Sequence, residues 1–185
     1  MAKNLQLLDS ERTGLLVIDM QKKLLKAMPA PDILKENVLK LIEGFKIIER
    51  PVFLTEHYPE GLGKTETAIK KILKSIEIEE KLSFSCCGIK GFSQKLRKQK
   101  IDQVVLCGIE THICIWQTAM DLLYNGFDVT VVKNCVASRK EIDNETALTR
   151  MQANRIQIST TETVLFELLG KAGTDAFQKI SELIK

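Results

Sequence analysis

The stretch Val104-Val105-Leu106-Cys107-Gly108-Ile109-Glu110-Thr111-His112-Ile113-Cys114-Ile115-Trp116-Gln117-Thr118-Ala119 leaves this chain few ways to fold. Its β-branched and aliphatic start, ended by Gly108, fits a strand buried on both faces, and Thr111 is placed to cap a helix running through Ala119 to Tyr124. Cys114 then falls near the start of that helix. Unpaired amide groups there carry partial positive charge, which favours a thiolate over a thiol and any oxyanion that forms beside it. The functional reading is a cysteine nucleophile at a strand-to-helix junction; the structural one is a small buried hydrophobe, a common fate of free cysteine.

The rest of the chain alternates short apolar runs with amphipathic stretches, which predicts a parallel sheet with helices on both faces. Strands are expected at 13–20, 51–57, 76–85, 102–108, 127–132 and 155–159. Between them, helices are expected at 32–50, 65–74, 91–100, 111–125 and 143–154, with two more at 161–169 and 174–184 around the Gly170 and Gly173 break. In the first helix Ile33, Leu34, Val38, Leu41, Ile42, Phe45 and Ile48 recur at helical spacing. Residues 58–64, with Pro59, Gly61 and Gly63, read as a loop. The fold class is thus α/β, a Rossmann-like three-layer αβα sandwich around a six-stranded, mostly parallel sheet. No repeat or long linker divides the chain, so residues 1–185 are expected to form one domain.

A chain of 185 residues with 44% hydrophobic content can bury roughly 70% of its unfolded surface, so neither metals nor disulfides are needed for stability. The net charge of +3 is small and interspersed, and the basic run Lys90 to Lys100 fits the wet face of one helix better than a nucleic-acid footprint. No signal-like apolar segment or membrane-length apolar run occurs. A cytoplasmic protein without membrane or nucleic-acid partners is expected. Five cysteines, Cys86, Cys87, Cys107, Cys114 and Cys135, show no metal-ligand spacing, and vicinal Cys86-Cys87 reads as a pair of thiols at a strand end.

In a doubly wound sheet, ligands bind outside the carboxyl ends of the strands. Asp19 follows Leu15-Leu16-Val17-Ile18, so a carboxylate is delivered to such an end, where it can exchange a proton with a thiol or cap the next turn. In Glu80-Lys81-Leu82-Ser83-Phe84-Ser85, alternation sends Leu82 and Phe84 to one face and Lys81, Ser83 and Ser85 to the other. A lysine ammonium beside Cys114 would lower the thiol's pKa; a solvated lysine is the plainer account.

The three positions occur in the order of a known family. The chain resembles the isochorismatase-like cysteine hydrolases from Leu15-Leu16-Val17-Ile18-Asp19-Met20-Gln21 through Lys81-Leu82-Ser83-Phe84-Ser85 and Gly108-Ile109-Glu110-Thr111-His112-Ile113-Cys114 to Thr160-Thr161-Glu162-Thr163-Val164-Leu165-Phe166-Glu167-Leu168-Leu169. Thr55-Glu56-His57-Tyr58-Pro59 with Gly61-Leu62-Gly63 makes it most similar to the YcaC-related branch. The resemblance implies an Asp-Lys-Cys triad at Asp19, Lys81 and Cys114, acting on a small amide or related C–N bond through a covalent intermediate. It implies a cis peptide between Ile109 and Glu110, and an oxyanion hole from the backbone amides of Glu110 and Cys114. It also implies a small-molecule substrate and a homo-oligomer.

Departures from the family narrow this. Nicotinamidases hold a metal with an Asp and two His; only His57 and His112 are present here, without Asp-x-His spacing, so no metal or other cofactor is expected. Isochorismatase cleaves a vinyl ether without relying on a cysteine, which retention of Cys114 argues against. His57, Tyr58, Phe84 and Trp116 are candidate pocket-lining residues, each with core or interface packing as the alternative. His112 lies two residues from Cys114 and so points to another side of a helix. Glu110 has three possible uses: bonding in its own turn, a subunit contact or substrate recognition. Ser138 and Arg139 could border the mouth of the site. Two rival functions are a ribonuclease-like nucleic-acid enzyme and a non-catalytic oligomeric scaffold with a vestigial site.

Overall fold

The computed structural model describes residues 7–185. Its six strands, β1 (Thr13–Ile18), β2 (Val52–His57), β3 (Ile78–Lys81), β4 (Gln103–Ile109), β5 (Asp128–Ala137) and β6 (Gln157–Ser159), form one sheet in the order β3-β2-β1-β4-β5-β6. Every neighbouring pair is parallel. The helices are α1 (Lys22–Lys26), α2 (Pro31–Ile47), α3 (Pro59–Leu62), α4 (Thr67–Ile72), α5 (Phe92–Lys98), α6 (Trp116–Tyr124), α7 (Glu141–Ala153), α8 (Thr161–Leu169) and α9 (Asp175–Leu183).

Side-chain alternation along the central strands builds two cores. From β1, Leu15 and Val17 pack with Val38, Leu41 and Phe45 of α2 and Val164, Leu165 and Leu168 of α8, while Leu16 and Ile18 pack on the other face with Phe92 and Leu96 of α5, Ala119 and Leu122 of α6 and Leu148 of α7. Each strand residue thus loses its water to one helix layer or the other, which is why β1 and β4 read as unbroken apolar runs. The three-layer sandwich expected from the alternation is the fold observed. Its chain order reverses between β1 and β4, and ligand crevices open at such a switch point, outside the carboxyl ends of the strands.

β1 and β4 approach each other closely at that point. Ile18 is registered with Gly108, and a Cβ on Gly108, whose φ is +121°, would lie 1.9 Å from the Ile18 carbonyl oxygen. Gly108 does not end the strand, as its sequence position suggests; it is the last β4 residue registered with β1, and the strand runs on to Ile109 beside Ala137 of β5.

Other local expectations fail as well, and β5, expected to end at residue 132, runs on to Ala137. Thr111 does not cap a helix: the chain makes one turn of π-helix over Thr111–Ile115 before α6 begins, Glu110 holds the capping position, and the Thr111 hydroxyl is buried without a hydrogen-bond partner. The third strand stops at Lys81, because its last ladder partner is His57, and residues 82–85 turn away into a 3₁₀ turn at Cys86–Gly88. The segment after the second strand is not wholly loop, since Pro59 starts the short helix α3.

Candidate active site

Asp19 is the first residue past β1, with φ +53°, a left-handed turn that Asp tolerates better than most residues. The turn is closed by Gln21 N–H donating to Asp19 O at 2.6 Å, and the Asp19 amide donates to Thr55 O at 3.3 Å. This carries a fully buried carboxylate to the switch point. An unpaired carboxylate would be untenable there. Two donors satisfy it: Thr55 Oγ1 donates to Oδ1 at 2.7 Å, and Lys81 Nζ donates to Oδ2 at 2.6 Å.

Lys81 is the last residue of β3, and only 5% of it is exposed. Residues 82–84 wrap around its end, so that Nζ also donates to the carbonyls of Phe84 at 3.0 Å and Ser83 at 3.3 Å. The same nitrogen lies 3.7 Å from Cys114 Sγ. Asp19, Lys81 and Cys114, far apart in sequence, therefore meet around one ammonium group, and Cys114, inside the π-turn, keeps 5% exposure. The Ile109–Glu110 peptide that leads into this turn is cis. Around Cys114, the amides of Ile113 and Ile115 both donate to Glu110 O, at 3.1 and 3.2 Å.

The electrostatics differ from the expected helix-start thiolate. Burial pushes the Cys114 thiol up, the Asp19 carboxylate pushes it further, and the Lys81 ammonium pulls it only partly back. The resting sulfur is therefore a protonated thiol beside an ion pair. For Lys81, burial alone would pull the ammonium down, but the Asp19 carboxylate beside it outweighs this and holds it above the usual lysine value. The arrangement suits a shared proton, with a donor and an acceptor on one short path.

The other candidate residues take separate places. His57 stacks on Phe84 with ring centroids 5.3 Å apart, its Nδ1 is buried without a hydrogen-bond partner, and burial together with Lys81 lowers its pKa. Its backbone is clamped by the buried Gln21, whose Oε1 accepts from His57 N at 2.8 Å and whose Nε2 donates to His57 O at 3.0 Å. Tyr58 and Phe84 are each about half exposed on the rim around Lys81. Trp116 points elsewhere, with the Arg150 guanidinium 4.1 Å over its ring. His112 Nδ1 bonds Ser138 Oγ at 2.8 Å, and the Glu110 carboxylate accepts from Arg139 N and Nε at 3.0 Å. Glu110 thus ties the segment after β5 to the turn that holds Cys114, a contact outside the three uses expected of it.

Two contacts at the centre had no role assigned from sequence. Thr55 was visible as the first polar residue after the apolar run Val52-Phe53-Leu54, with Glu56 and His57 following it in the same strand. Cys86, fully buried, places its sulfur 4.0 Å from Thr55 Oγ1; nothing in its own sequence surroundings marks that contact. All five cysteines are free. Among the described residues no His/Cys/Asp/Glu group could hold a metal ion, and no helix is long and apolar enough to cross a membrane. A separate crevice of about 200 Å³, lined by residues that include Phe53, Ser75, Glu77, Lys95 and Gln99, shares no residue with the Asp19, Lys81 and Cys114 cluster.

With this geometry in place, comparison with known proteins gives one answer. Residues 13–163 match the isochorismatase domain model. Isochorismatase domain-containing protein 2 of Rattus norvegicus is 34% identical over 95% of this chain and 82% of its own length. The MAR1 ribonuclease structure from Caenorhabditis elegans is similar with a TM-score of 0.90 and 31% identity, over 97% of this chain and 92% of that one. The YcaC gene product of Escherichia coli, an octameric hydrolase of unknown specificity, has a TM-score of 0.91 at 23% identity, over 98% of this chain and 92% of that one. By its matched domain and its relatives, YcaC among its structural neighbours, the chain belongs to the isochorismatase family.

Proposed function

We propose that this chain is a cysteine hydrolase that cleaves a small amide or related C–N bond through a covalent Cys114 intermediate, with Asp19 and Lys81 completing the catalytic triad. The observation that carries the reading is the single ammonium of Lys81, 2.6 Å from Asp19 Oδ2 and 3.7 Å from Cys114 Sγ. As sulfur attacks the carbonyl carbon, the thiol proton passes to Asp19, and the carbonyl becomes an oxyanion received by the amides of Glu110 and Cys114. Collapse of this intermediate breaks the C–N bond, Asp19 returns the proton to the departing nitrogen, and a thioester remains on Cys114. Water then attacks the thioester with Asp19 as base. An acid is released and the thiol regains its proton. Lys81 keeps the carboxylate in place and offsets the negative charge that moves between oxygen and sulfur.

His57, Tyr58 and Phe84 line the mouth in this reading and choose the acyl group; Trp116, covered by Arg150, is the least suited of the candidates. In this reading the enzyme acts on a small molecule in the cytoplasm, and the octameric hydrolase among the neighbours supports a homo-oligomer. The name of the nematode relative raises the ribonuclease alternative. Against a basic groove, Lys95 is paired with Glu77 and Glu79, and Lys64 with Glu56 and Glu80. A screen of small amides with wild type beside Cys114→Ala tests the proposal: hydrolysis should vanish in the variant while its unfolding curve stays cooperative. Turnover that persists without the thiol refutes the mechanism, and a screen in which wild type cleaves no amide favours the scaffold.

A further inference from the structure

Thr55 holds Asp19 at two points. Its carbonyl accepts from the Asp19 amide at 3.3 Å, and its hydroxyl lies 2.7 Å from Asp19 Oδ1. The hydroxyl has one proton to give and two neighbours within reach, the carboxylate and Cys86 Sγ at 4.0 Å. Cys86 is fully buried, and burial pushes its thiol up to about 12, so it is a donor at neutral pH. The direction of the chain follows: Cys86 S–H donates to Thr55 Oγ1, and Thr55 O–H donates to Asp19 Oδ1. A hydrogen bond given to a carboxylate favours its charged form over its protonated form. The same bond therefore works against Asp19 taking the proton of Cys114.

We infer that Thr55 is a positioning residue that keeps the shared proton on the Cys114 sulfur in the resting enzyme and turns the Oδ2 edge of Asp19 toward Lys81. This rests on the proposed triad and adds a guard to it. The nucleophile stays a thiol until a bound carbonyl makes sulfur attack favourable, which protects it from adventitious electrophiles. The Thr55 bond must weaken when Asp19 accepts the proton and reform when the product leaves.

The test is the rate of Cys114 carbamidomethylation by iodoacetamide from pH 5 to 10, read by peptide mass spectrometry so that the other four thiols do not interfere. Thr55→Val keeps the shape and removes the hydroxyl; Thr55→Ser removes the methyl and keeps the hydroxyl. The guard predicts that Thr55→Val raises the neutral-pH rate about ten-fold, since a hydrogen bond to a charged group is lost, and moves the acid limb of the profile to higher pH. Thr55→Ser should follow wild type. A Thr55→Val profile that superposes on wild type, or one that only falls, overturns the inference. Should the valine variant not fold, Thr55→Ala read against Thr55→Ser decides the matter by the same criteria. Asp19→Asn separates the two levels: its profile should become that of an isolated thiol. If Asp19→Asn matches wild type, the triad reading fails and takes the guard with it, whereas a changed Asp19→Asn beside an unchanged Thr55→Val removes the guard alone.

Discussion

Lys81 and Leu82 are neighbours in the chain, yet the first is 5% exposed and the second 76%. The boundary between two regions runs between them. On one side lies a buried cup of Asp19, Thr55, Lys81, Cys86 and Cys114; on the other lies a rim made by Tyr58, Leu82 and Phe84. The difference comes from the sheet. His57 and Lys81 are the last ladder pair of β2 and β3, so β3 up to Lys81 is held by a neighbouring strand, whereas in the turn that follows the Ser83 and Phe84 carbonyls accept from the Lys81 ammonium. If the proposed triad is right, its reactive groups are the ones held at the ends of the strand ladder, and selectivity falls to exposed residues that can vary without unfolding the protein.

That contrast can be broken most forcefully at Gly108, which lets β1 and β4 close beneath the cup. Gly108→Ala puts a Cβ 1.9 Å from the Ile18 carbonyl and at a φ that alanine avoids, so urea unfolding should show a loss above about 4 kcal/mol or no folded protein. Next is Lys81→Met, which leaves the buried Asp19 carboxylate without its cation. A destabilisation of about 3 to 5 kcal/mol is expected, and Asp19→Asn combined with Lys81→Met should lose less than the sum of the single variants. On the rim, Phe84→Ala should cost about 1 kcal/mol or less and change KM for a cleaved amide more than kcat. A rim variant that stopped turnover without changing KM would erase the division between the two regions.

The smallest effect concerns pH. Burial and then Lys81 lower the His57 pKa, so the folded protein binds this proton less readily than the unfolded chain. His57 therefore contributes stability that is present above its ordinary pKa near 6.5 and is lost as pH falls through the lower folded value. His57→Phe should flatten the fall in melting temperature between neutral and mildly acidic pH. An equally steep fall in the variant would assign the acid sensitivity to another group.

The layers and strand cores were legible because burial on both faces writes itself into runs such as Leu15 to Ile18 and Val104 to Cys107. Thr111 misled because a Thr before an apolar run is the usual mark of an N-cap, while a widened turn keeps the same composition. For Lys81 the expected face was right and its cause was not. Leu82 and Phe84 are exposed, and the ammonium is held by the carbonyls of a turn and the Asp19 carboxylate. The protonated state of Cys114 was least visible, because it depends on how far residue 19, 95 positions earlier, lies from the sulfur after folding. Local signs, a helix start and a lysine, both pointed to a thiolate; burial and a distant carboxylate reverse them.

The account turns on whether Cys114 carries the acyl group during turnover. Acid quenching of the wild-type enzyme while it hydrolyses an amide found in the screen, followed by peptide mass spectrometry, measures this directly. The account predicts an added mass equal to the acyl fragment on the peptide containing Cys114 and on no other cysteine peptide, removable by hydroxylamine. Steady hydrolysis with an unmodified Cys114, or with the acyl group on another residue, would contradict it.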